Sequence, residues 1–490
     1  MFPKAGIKHL VAPTSDHKPI LLDTHFENNI LNKPFRFEAM WARDSECEVV
    51  VDQAWRKEFT GSYGFNLMKK ISHSGFLLSK WNKTSFGQTK TKILEIERRI
   101  GIIQSKPPSI EALQEEASLM MELEEWQTRE EIRLKQKSRE LWLKEGDRNS
   151  KFFHASTLIR RRRNNISEIK LENGEKIYGR ENIEKYFGDH FKELFSTSNP
   201  SFPVDLEKPI EPSISAAENA KLLKIPSEGE FQRTIFEMNP LKALGPDGMP
   251  GLFFKKFWHI VGNQLILTVQ SFFRDGWLLK EMNETFITLI PKVQGANNFG
   301  HFRPISLCNF CYKVISRILV ARLRPLLDKL IDPAQTAFVP NRNIAKNILL
   351  AQEVVHSFST TKKKKGFVGL KLDFQKAYDR LEWPFLIQVL KIFGFHQKFI
   401  HLIYQCISTV SFTLLLNGGK GPRIMPSRGL RQGDPLSPYL FIIRSKVLAR
   451  MINRNSAQKQ INGIKIAPSS TGISKLFYAD DVLLVCKAKQ

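Results

Sequence analysis

Hydrophobic and polar positions change period several times along the chain, and each change predicts an element. From about Thr91 to Leu143 apolar residues recur at helical spacing on a charged background. They are Ile93, Leu94, Ile96 and Ile100, then Leu119, Leu123, Trp126, Ile132 and Leu134. Pro107-Pro108 divides the run, because proline removes an N–H and clashes with the preceding turn. The spacing predicts an antiparallel helical hairpin. Ser227 followed by Glu230 has the form of a capping box, opening a helix that Asn239-Pro240 ends. Gly245-Pro246-Asp247-Gly248 reads as a turn before a helix through Phe253, Phe257, Trp258 and Ile260. Later helices are predicted through Tyr312, Ile315, Leu319 and Leu323 and through Leu349, Leu350, Val354 and Val355. Short apolar runs predict strands at Thr285 to Pro291, at Gly369 to Asp373, and on both sides of Asp480-Asp481. Glu172-Asn173-Gly174-Glu175 reads as a hairpin turn, and the Pro- and Ser-rich residues 197–215 as a linker.

The chemistry starts where the last apolar run breaks. In Phe477-Tyr478-Ala479-Asp480-Asp481-Val482-Leu483-Leu484-Val485, two apolar runs flank adjacent carboxylates. The pattern predicts two buried strands with Ala479-Asp480-Asp481 at their turn. A doubled negative charge held there calls for a cation, most simply a divalent metal; the alternative is an acidic turn facing solvent. Gly369-Leu370-Lys371-Leu372-Asp373 is a strand ending on another acid. Brought beside the first pair, it makes a three-carboxylate cluster able to hold two Mg²⁺ ions roughly 3.5–4 Å apart, the arrangement for in-line phosphoryl transfer. A third stretch, Arg428-Gly429-Leu430-Arg431-Gln432-Gly433-Asp434-Pro435, predicts a loop whose glycines admit a ligand, with Asp434 as N-cap and Pro435 as the first helical residue.

Composition sharpens this. The 490 residues carry 74 Lys and Arg against 49 Asp and Glu, a net charge of +25, so a polyanion is the expected partner. Arg160, Arg161, Arg162 and Arg163, near Phe152 and Phe153, are candidates to grip RNA; a nuclear-localisation run or a solvated helix face reads equally well. No run of 18 apolar residues and no signal-peptide pattern is seen, which excludes a helical membrane span and predicts a soluble intracellular protein. Five cysteines, including Cys308 and Cys311 in a CxxC, suggest buried thiols, since further zinc ligands at suitable spacing are missing.

Asp373 in LDFQKAYD, the RGLRQGDPLSP loop and FYADD together resemble three successive palm motifs of reverse transcriptases, and most closely those of plant LINE-type non-LTR retrotransposons. The resemblance implies an α+β fold: right-hand polymerase fingers and palm with an antiparallel palm sheet over residues 226–490, without a thumb. A mostly helical basic connector over 26–225 would precede it. Residues 1–25 resemble the tail of an endonuclease/exonuclease/phosphatase-like domain, with Asp16 and His17 in its closing SDH motif.

The implied activity is RNA-directed DNA polymerisation, with an RNA template, a DNA primer and dNTPs as partners. Asp373, Asp480 and Asp481, with the Phe374 carbonyl, would ligate two Mg²⁺ ions, Mn²⁺ being a substitute. Lys292 and Arg303 would meet the triphosphate. Tyr378 would exclude the ribose 2′-hydroxyl, or else serve as a core aromatic. Gln432 and Gly433 would touch the template and nascent pair, Arg428 and Arg431 the nucleic acid, with backbone as the alternative partner of Arg431. The family implies a ribonucleoprotein of nucleus and cytoplasm. Departures from the pattern are Leu244, Asn341, Lys346 and Arg444-Ser445-Lys446. The alternative is a truncated, non-catalytic relic that binds nucleic acid through its basic surface.

Overall fold

The computed structural model describes residues 6–9, 20–23, 33–139, 150–202, 212–360, 366–466 and 472–488. Strands β1 (Gly6–His9) and β2 (Ile20–Asp23) pair antiparallel, Gly6 opposite Asp23. Asp16, His17 and Lys362 to Lys365 lie outside the described residues, as does 203–211 of the proposed linker.

Helices α1 (Ser45–Arg56) and α2 (Tyr63–Trp81) follow, each opened by a polar cap: Asp44 accepts from the Glu46 N–H at 3.0 Å and Ser62 from the Phe65 N–H at 3.3 Å. Such caps stabilise a helix by about 1 kcal/mol each. Helices α3 (Thr89–Gln104) and α4 (Ile110–Ser138) form a hairpin with Pro107 and Pro108 in the connection. Their inner face joins Trp41, Trp81, Phe86 and Trp126, with ring centroids 4.9–6.2 Å apart. Arg129 covers the Trp126 ring at 4.7 Å and pairs with Asp44 at 2.8 Å, which fastens α4 to the start of α1.

Helix α5 (Ser150–Arg163) ends in the arginine run. The hairpin β3 (Glu168–Lys170) and β4 (Lys176–Tyr178) turns at Gly174, and α6 (Arg180–Leu194) packs on it. Helix α7 (Ala216–Leu223) opens with a complete capping box between Ser215 and Glu218. Helix α8 (Glu228–Glu237) has only half of the expected one. Ser227 accepts from the Glu230 N–H, but the Glu230 carboxylate is taken by Arg322, with two bonds of 3.0 Å.

Helices α9 (Gly251–Lys256), α10 (Trp258–Asp275) and α11 (Lys280–Asn283) lead to β5 (Glu284–Pro291) and β6 (Phe302–Cys308). Next come α12 (Phe310–Leu323), α13 (Leu327–Leu330), α14 (Ile344–Thr360) and β7 (Phe367–Asp373). The chain continues through α15 (Trp383–Ile392), α16 (Gln397–Ser408), β8 (Ser411–Leu416), β9 (Gly419–Ile424), α17 (Ser437–Ala457), β10 (Lys475–Tyr478) and β11 (Asp481–Lys487).

Two sheets carry the second half. One has the order β6-β5-β8-β9, with β5 and β8 parallel; the other has the order β10-β11-β7, all antiparallel. The fold is thus mixed α and β. One apolar core runs without a break from Phe37 through α1, α2, α10, α12 and α15 to Val447. It includes residues on both sides of residue 225, the boundary the resemblance implied. The segment before the GPDG turn is also stitched to it: the Phe37 N–H donates to the Gly248 carbonyl at 3.0 Å. Gly248 has φ +70°, and a Cβ there would sit 2.2 Å from the Phe35 carbonyl oxygen, so only glycine lets the two backbones meet.

Candidate active site at the acidic hairpin

Strands β10 and β11 close in a two-residue loop, Ala479-Asp480, so Asp481 is the first residue of β11 and not part of the turn, opposite Tyr478. Ala479 takes φ +54°, a conformation that usually selects glycine at the first loop position. On its other edge β11 pairs with β7, and the register sets Asp481 opposite Asp373. Directly opposed residues of an antiparallel pair lie about 4.5–5.5 Å apart at Cα and point to the same face. Carboxylates 108 positions apart in sequence are therefore neighbours, with Asp480 on the adjoining turn.

Asp373 and Asp481 are exposed, and Lys371 reaches Asp481 at 3.5 Å. The strands are less buried than their apolar pattern suggested. β10 is buried up to Phe477, whereas Val368 and Leu370 of β7 are about half exposed, at 49% and 51%. Hard carboxylate oxygens are the donors Mg²⁺ takes. Among the described residues, however, no three acidic, His or Cys groups are drawn close enough to form a metal cluster.

The hairpin is held by a side chain to which the sequence pattern assigned no role. Gln335 is 2% exposed, and its amide spans the backbone of Ala479, accepting from its N–H at 3.0 Å and donating to its carbonyl at 3.4 Å. Around it, the Phe477 N–H donates to Ala334 at 3.0 Å, and Asn347 donates to the carbonyls of Ala334 and Phe477 at 2.8 and 2.9 Å. Arg342 ties the same loop through the carbonyls of Asp332 and Gln335, at 2.6 and 2.8 Å. Asn341, which stands where the family favours glycine, adopts φ +62°, a conformation asparagine tolerates. Nothing in the local pattern marked Gln335, since a polar residue in a loop gives no sign of its partner.

Tyr378 follows the strand that delivers Asp373. Its ring stacks on Phe441 with centroids 4.8 Å apart and planes 13° from parallel. Burial and the neighbouring Asp480 push its hydroxyl well above the ordinary tyrosine range. The polar stretch 444–446 is explained by partners. The Arg444 guanidinium lies over the rings of Phe374 (5.3 Å) and Phe441 (5.6 Å), and Ser445 donates to the Ile442 carbonyl at 2.8 Å. Lys446 lies 3.9 Å from Asp332.

The glycine loop lies against β6. The Ser306 N–H donates to the Gln432 carbonyl at 2.8 Å, and Gly433, at φ +118°, would place a Cβ 2.8 Å from the Ser306 oxygen. Gln432 points its amide at Asp379, 3.4 Å from both carboxylate oxygens. Asp379 is 1% exposed, and burial pushes its carboxyl up to about 6, against the pull of Lys376, Gln432, Lys292 and Arg380. Lys376, half-buried with its Nζ 4.7 Å from the Phe299 ring centre, thus joins Lys292 near the loop. Lys292 donates to the Gly300 carbonyl at 2.9 Å, and Arg303, exposed on β6, pairs in register with Ile290.

Two expected nucleic-acid contacts are turned inward. Arg431 is 4% exposed, lies 3.9 Å above the Tyr312 ring, pairs with Asp434 at 2.8 Å and donates to the Cys406 carbonyl at 3.0 Å. Asp434 also accepts from Tyr312 and Ser316, each at 2.6 Å. Its carboxylate organises this buried network instead of capping α17, which starts at Ser437 with Pro438 in its first turn. Arg428 donates to the Leu194 carbonyl at 2.9 Å and pairs with Glu382 at 3.2 Å. Both arginines thus tie the loop to neighbouring protein groups. Arg161, Arg162 and Arg163 are exposed at the end of α5. Cys308 and Cys311 are fully buried, and burial raises both thiols.

The acidic hairpin set in register against a third acid thus shares the chain with a glycine loop packed on β6 and with the cations Lys292, Arg303 and Lys376. Residues 290–490 match the family model described as reverse transcriptase (RNA-dependent DNA polymerase). Residues 290–490 thus resemble reverse transcriptases, and several relatives of the chain are proteins of transposons and R2 retrotransposable elements. It is 26% identical over 97% of its length to an uncharacterized 149 kDa protein of transposon TX1 from Xenopus laevis, covering 37% of that protein. It is 26% identical over 51% of its length to the Pol polyprotein of an R2 element from Nasonia vitripennis, covering 23%. Over 67 residues, 14% of the chain, it is 46% identical to an uncharacterized mitochondrial protein of Arabidopsis thaliana, covering 55%. The chain thus spans little more than a third, or less, of the length of these two transposon relatives.

Proposed function

We propose that this chain supplies the fingers and palm of an RNA-directed DNA polymerase of plant-like LINE type, which extends a DNA primer on an RNA template. The observation that carries the reading is the register of β7 on β11, with Asp373 opposite Asp481 beside the Ala479-Asp480 turn. The reaction is attack of the primer 3′-hydroxyl on the α-phosphate of a dNTP, with pyrophosphate leaving. Asp373, Asp480 and Asp481, with the Phe374 carbonyl, are the groups to hold two Mg²⁺ or Mn²⁺ ions. Divalent metal bound there supplies charge neutralisation and a more acidic hydroxyl.

The remaining roles fall to the chain's own side chains. Lys292, Arg303 and Lys376 hold the triphosphate, arginine as a two-pronged donor and lysine as a point charge. Gln432, oriented by Asp379, and Gly433 meet the nascent pair. Tyr378, locked by its stack on Phe441, closes the space a ribose 2′-hydroxyl would need. Arg160 to Arg163 bind template phosphates. No helix among the described residues is long and apolar enough to cross a membrane, and the working place is the nucleus and cytoplasm, within a ribonucleoprotein.

The test is primer extension on an RNA template annealed to a DNA primer, with Mg²⁺ and dNTPs. Asp480→Asn/Asp481→Asn is the control. Extension by the chain and its loss in the double variant are expected. Template binding without extension would refute catalysis and leave a binding protein.

A further inference from the structure

Helix α2 has two faces with different tasks. Its inner face buries Leu67, Ile71, Leu78 and Trp81 against α1 and α10. Its outer face presents Phe65, Lys69, His73, Phe76 and Lys80 at successive turns, rings interspersed with cations. Phe76 is 65% exposed, leaving most of its apolar surface in water. The His73 imidazole stacks on it with planes 14° apart and centroids 6.4 Å apart, and Phe59, from the loop before α2, meets His73 edge-on at 6.4 Å. Lys57 stands 5.4 Å from the Phe59 ring centre and Lys69 5.1 Å from that of Phe65.

The charge is as one-sided as the rings. Helix α2 contains no acid, and between Gln53 and Leu94 Glu58 stands alone against eight Lys and Arg. Two of those eight are already used: Arg56 pairs with Asp52, and Lys70 donates to the Trp55 carbonyl. Lys57, Lys69 and Lys80 pair with no carboxylate among the described residues. Burial and the charge of Lys57 lower the His73 pKa, so the ring is neutral at physiological pH and stacks as an aromatic.

We infer that this face of α2 is a docking surface for single-stranded nucleic acid. Bases stack on Phe76, His73 and Phe59, while Lys57, Lys69 and Lys80 hold the phosphates. Interleaved rings and cations are what a single strand requires, because every base has a π-face and every linkage a charge. A duplex hides its bases and offers such rings nothing. Beside the polymerase reading, on which its biological sense rests, the surface gives the RNA template a second hold remote in sequence from the acidic hairpin.

The experiment uses the full chain and a labelled single-stranded RNA of about twenty nucleotides, followed by fluorescence anisotropy against salt, with duplex DNA of equal length as comparison. Phe59→Ala/Phe76→Ala should weaken RNA binding about tenfold or more and duplex binding far less. Phe76→Trp should restore most of it. Lys57→Ser/Lys69→Ser/Lys80→Ser should lower the slope of log affinity against log salt by about 2, at about 0.7 for each phosphate no longer neutralised. Affinity and slope unchanged in both sets would overturn the inference. So would unchanged RNA binding accompanied by loss of self-association in the phenylalanine variant, which would make the face a protein interface. Primer extension on a short saturating duplex separates the two readings. Extension with unaltered RNA binding in the variants sinks the α2 surface alone. Absent extension with RNA binding abolished in the variants sinks catalysis alone.

Discussion

Replacing Lys446 should make the protein more stable, although lysine is the better hydrogen-bonding residue. Lys446 sits on α17 beneath the acidic hairpin, 6% exposed, and shares the Asp332 carboxylate (3.9 Å) with Lys475 (3.8 Å). Arg450 and Arg342 add further positive charge nearby. Two lysines share the one Asp332 carboxylate, Arg342 being paired also with Asp328 at 3.3 Å, and a buried charge without its own partner is expensive. Burial, opposed by Asp332 and reinforced by these cations, pulls the Lys446 ammonium from the usual 10.5 down to about 8. At about 1.4 kcal/mol per pH unit, keeping it charged in the fold costs on the order of 3 kcal/mol.

Lys446→Met keeps the apolar stem and removes that cost. Asp332 retains Lys475, the Asn453 amide at 3.1 Å and the Ala334 N–H at 3.0 Å, so no acceptor is orphaned. The attraction to Asp332 is already contained in the lowered pKa, so the net gain at neutral pH is bounded by that cost, at roughly 1–3 kcal/mol.

The pH dependence supplies the sharper check. The folded pKa lies below the unfolded one, so the unfolded chain binds more protons between about 8 and 10.5. The stability of the parent therefore rises with pH through that window. The penalty is fully present below about 8 and fades by 10.5, so the advantage of Lys446→Met should shrink as pH rises through that range. Thermal unfolding of both proteins across this range measures it. A variant less stable than the parent at neutral pH, or a gap independent of pH, would refute the account of Lys446 as a charge held at a loss.

Two further outcomes bear on the site. Tyr378→Ala removes the ring stacked on Phe441, and incorporation of ribonucleotides relative to deoxyribonucleotides should rise roughly tenfold or more; an unchanged ratio in competitive extension would assign the ring to packing. Gln335→Ala deletes both bonds to Ala479, worth about 1 kcal/mol each. It should lower kcat at least tenfold and raise the Mg²⁺ requirement with little change in the dNTP KM, while speeding amide exchange over 475–483 but not in β5. Exchange as slow as in the parent would show that Gln335 does not hold the turn.

What was legible in the sequence was whatever depends on neighbours along the chain. The helical hairpin of α3 and α4 and the β10–β11 turn follow from periodicity, and the acids at 373, 480 and 481 stand at or beside strand ends, where pattern left an acidic turn facing solvent open and the family resemblance singled them out. Partner choice across long separations was not legible. Glu230 in a capping-box spacing is drawn off by Arg322, 92 residues away. Arg428 and Arg431 look, in a glycine loop, like phosphate ligands, yet one binds the Leu194 carbonyl and the other the Tyr312–Asp434 network.

A guanidinium seeks any acceptor, and a carbonyl at the end of a helix or strand serves as well as a phosphate. The distinguishing signal is the apolar spacing around it. Leu430 and Leu436 flank Arg431 and Asp434 and are 3% and 0% exposed, so the loop that carries the charges is itself core. The same reasoning run the other way gives α2 its interest. There the cations and rings occupy the helical positions that the buried stripe of Leu67, Ile71, Leu78 and Trp81 leaves free. Inward-facing charges complete a fold and outward-facing rings await a partner, and the period of the apolar positions around them tells which is which.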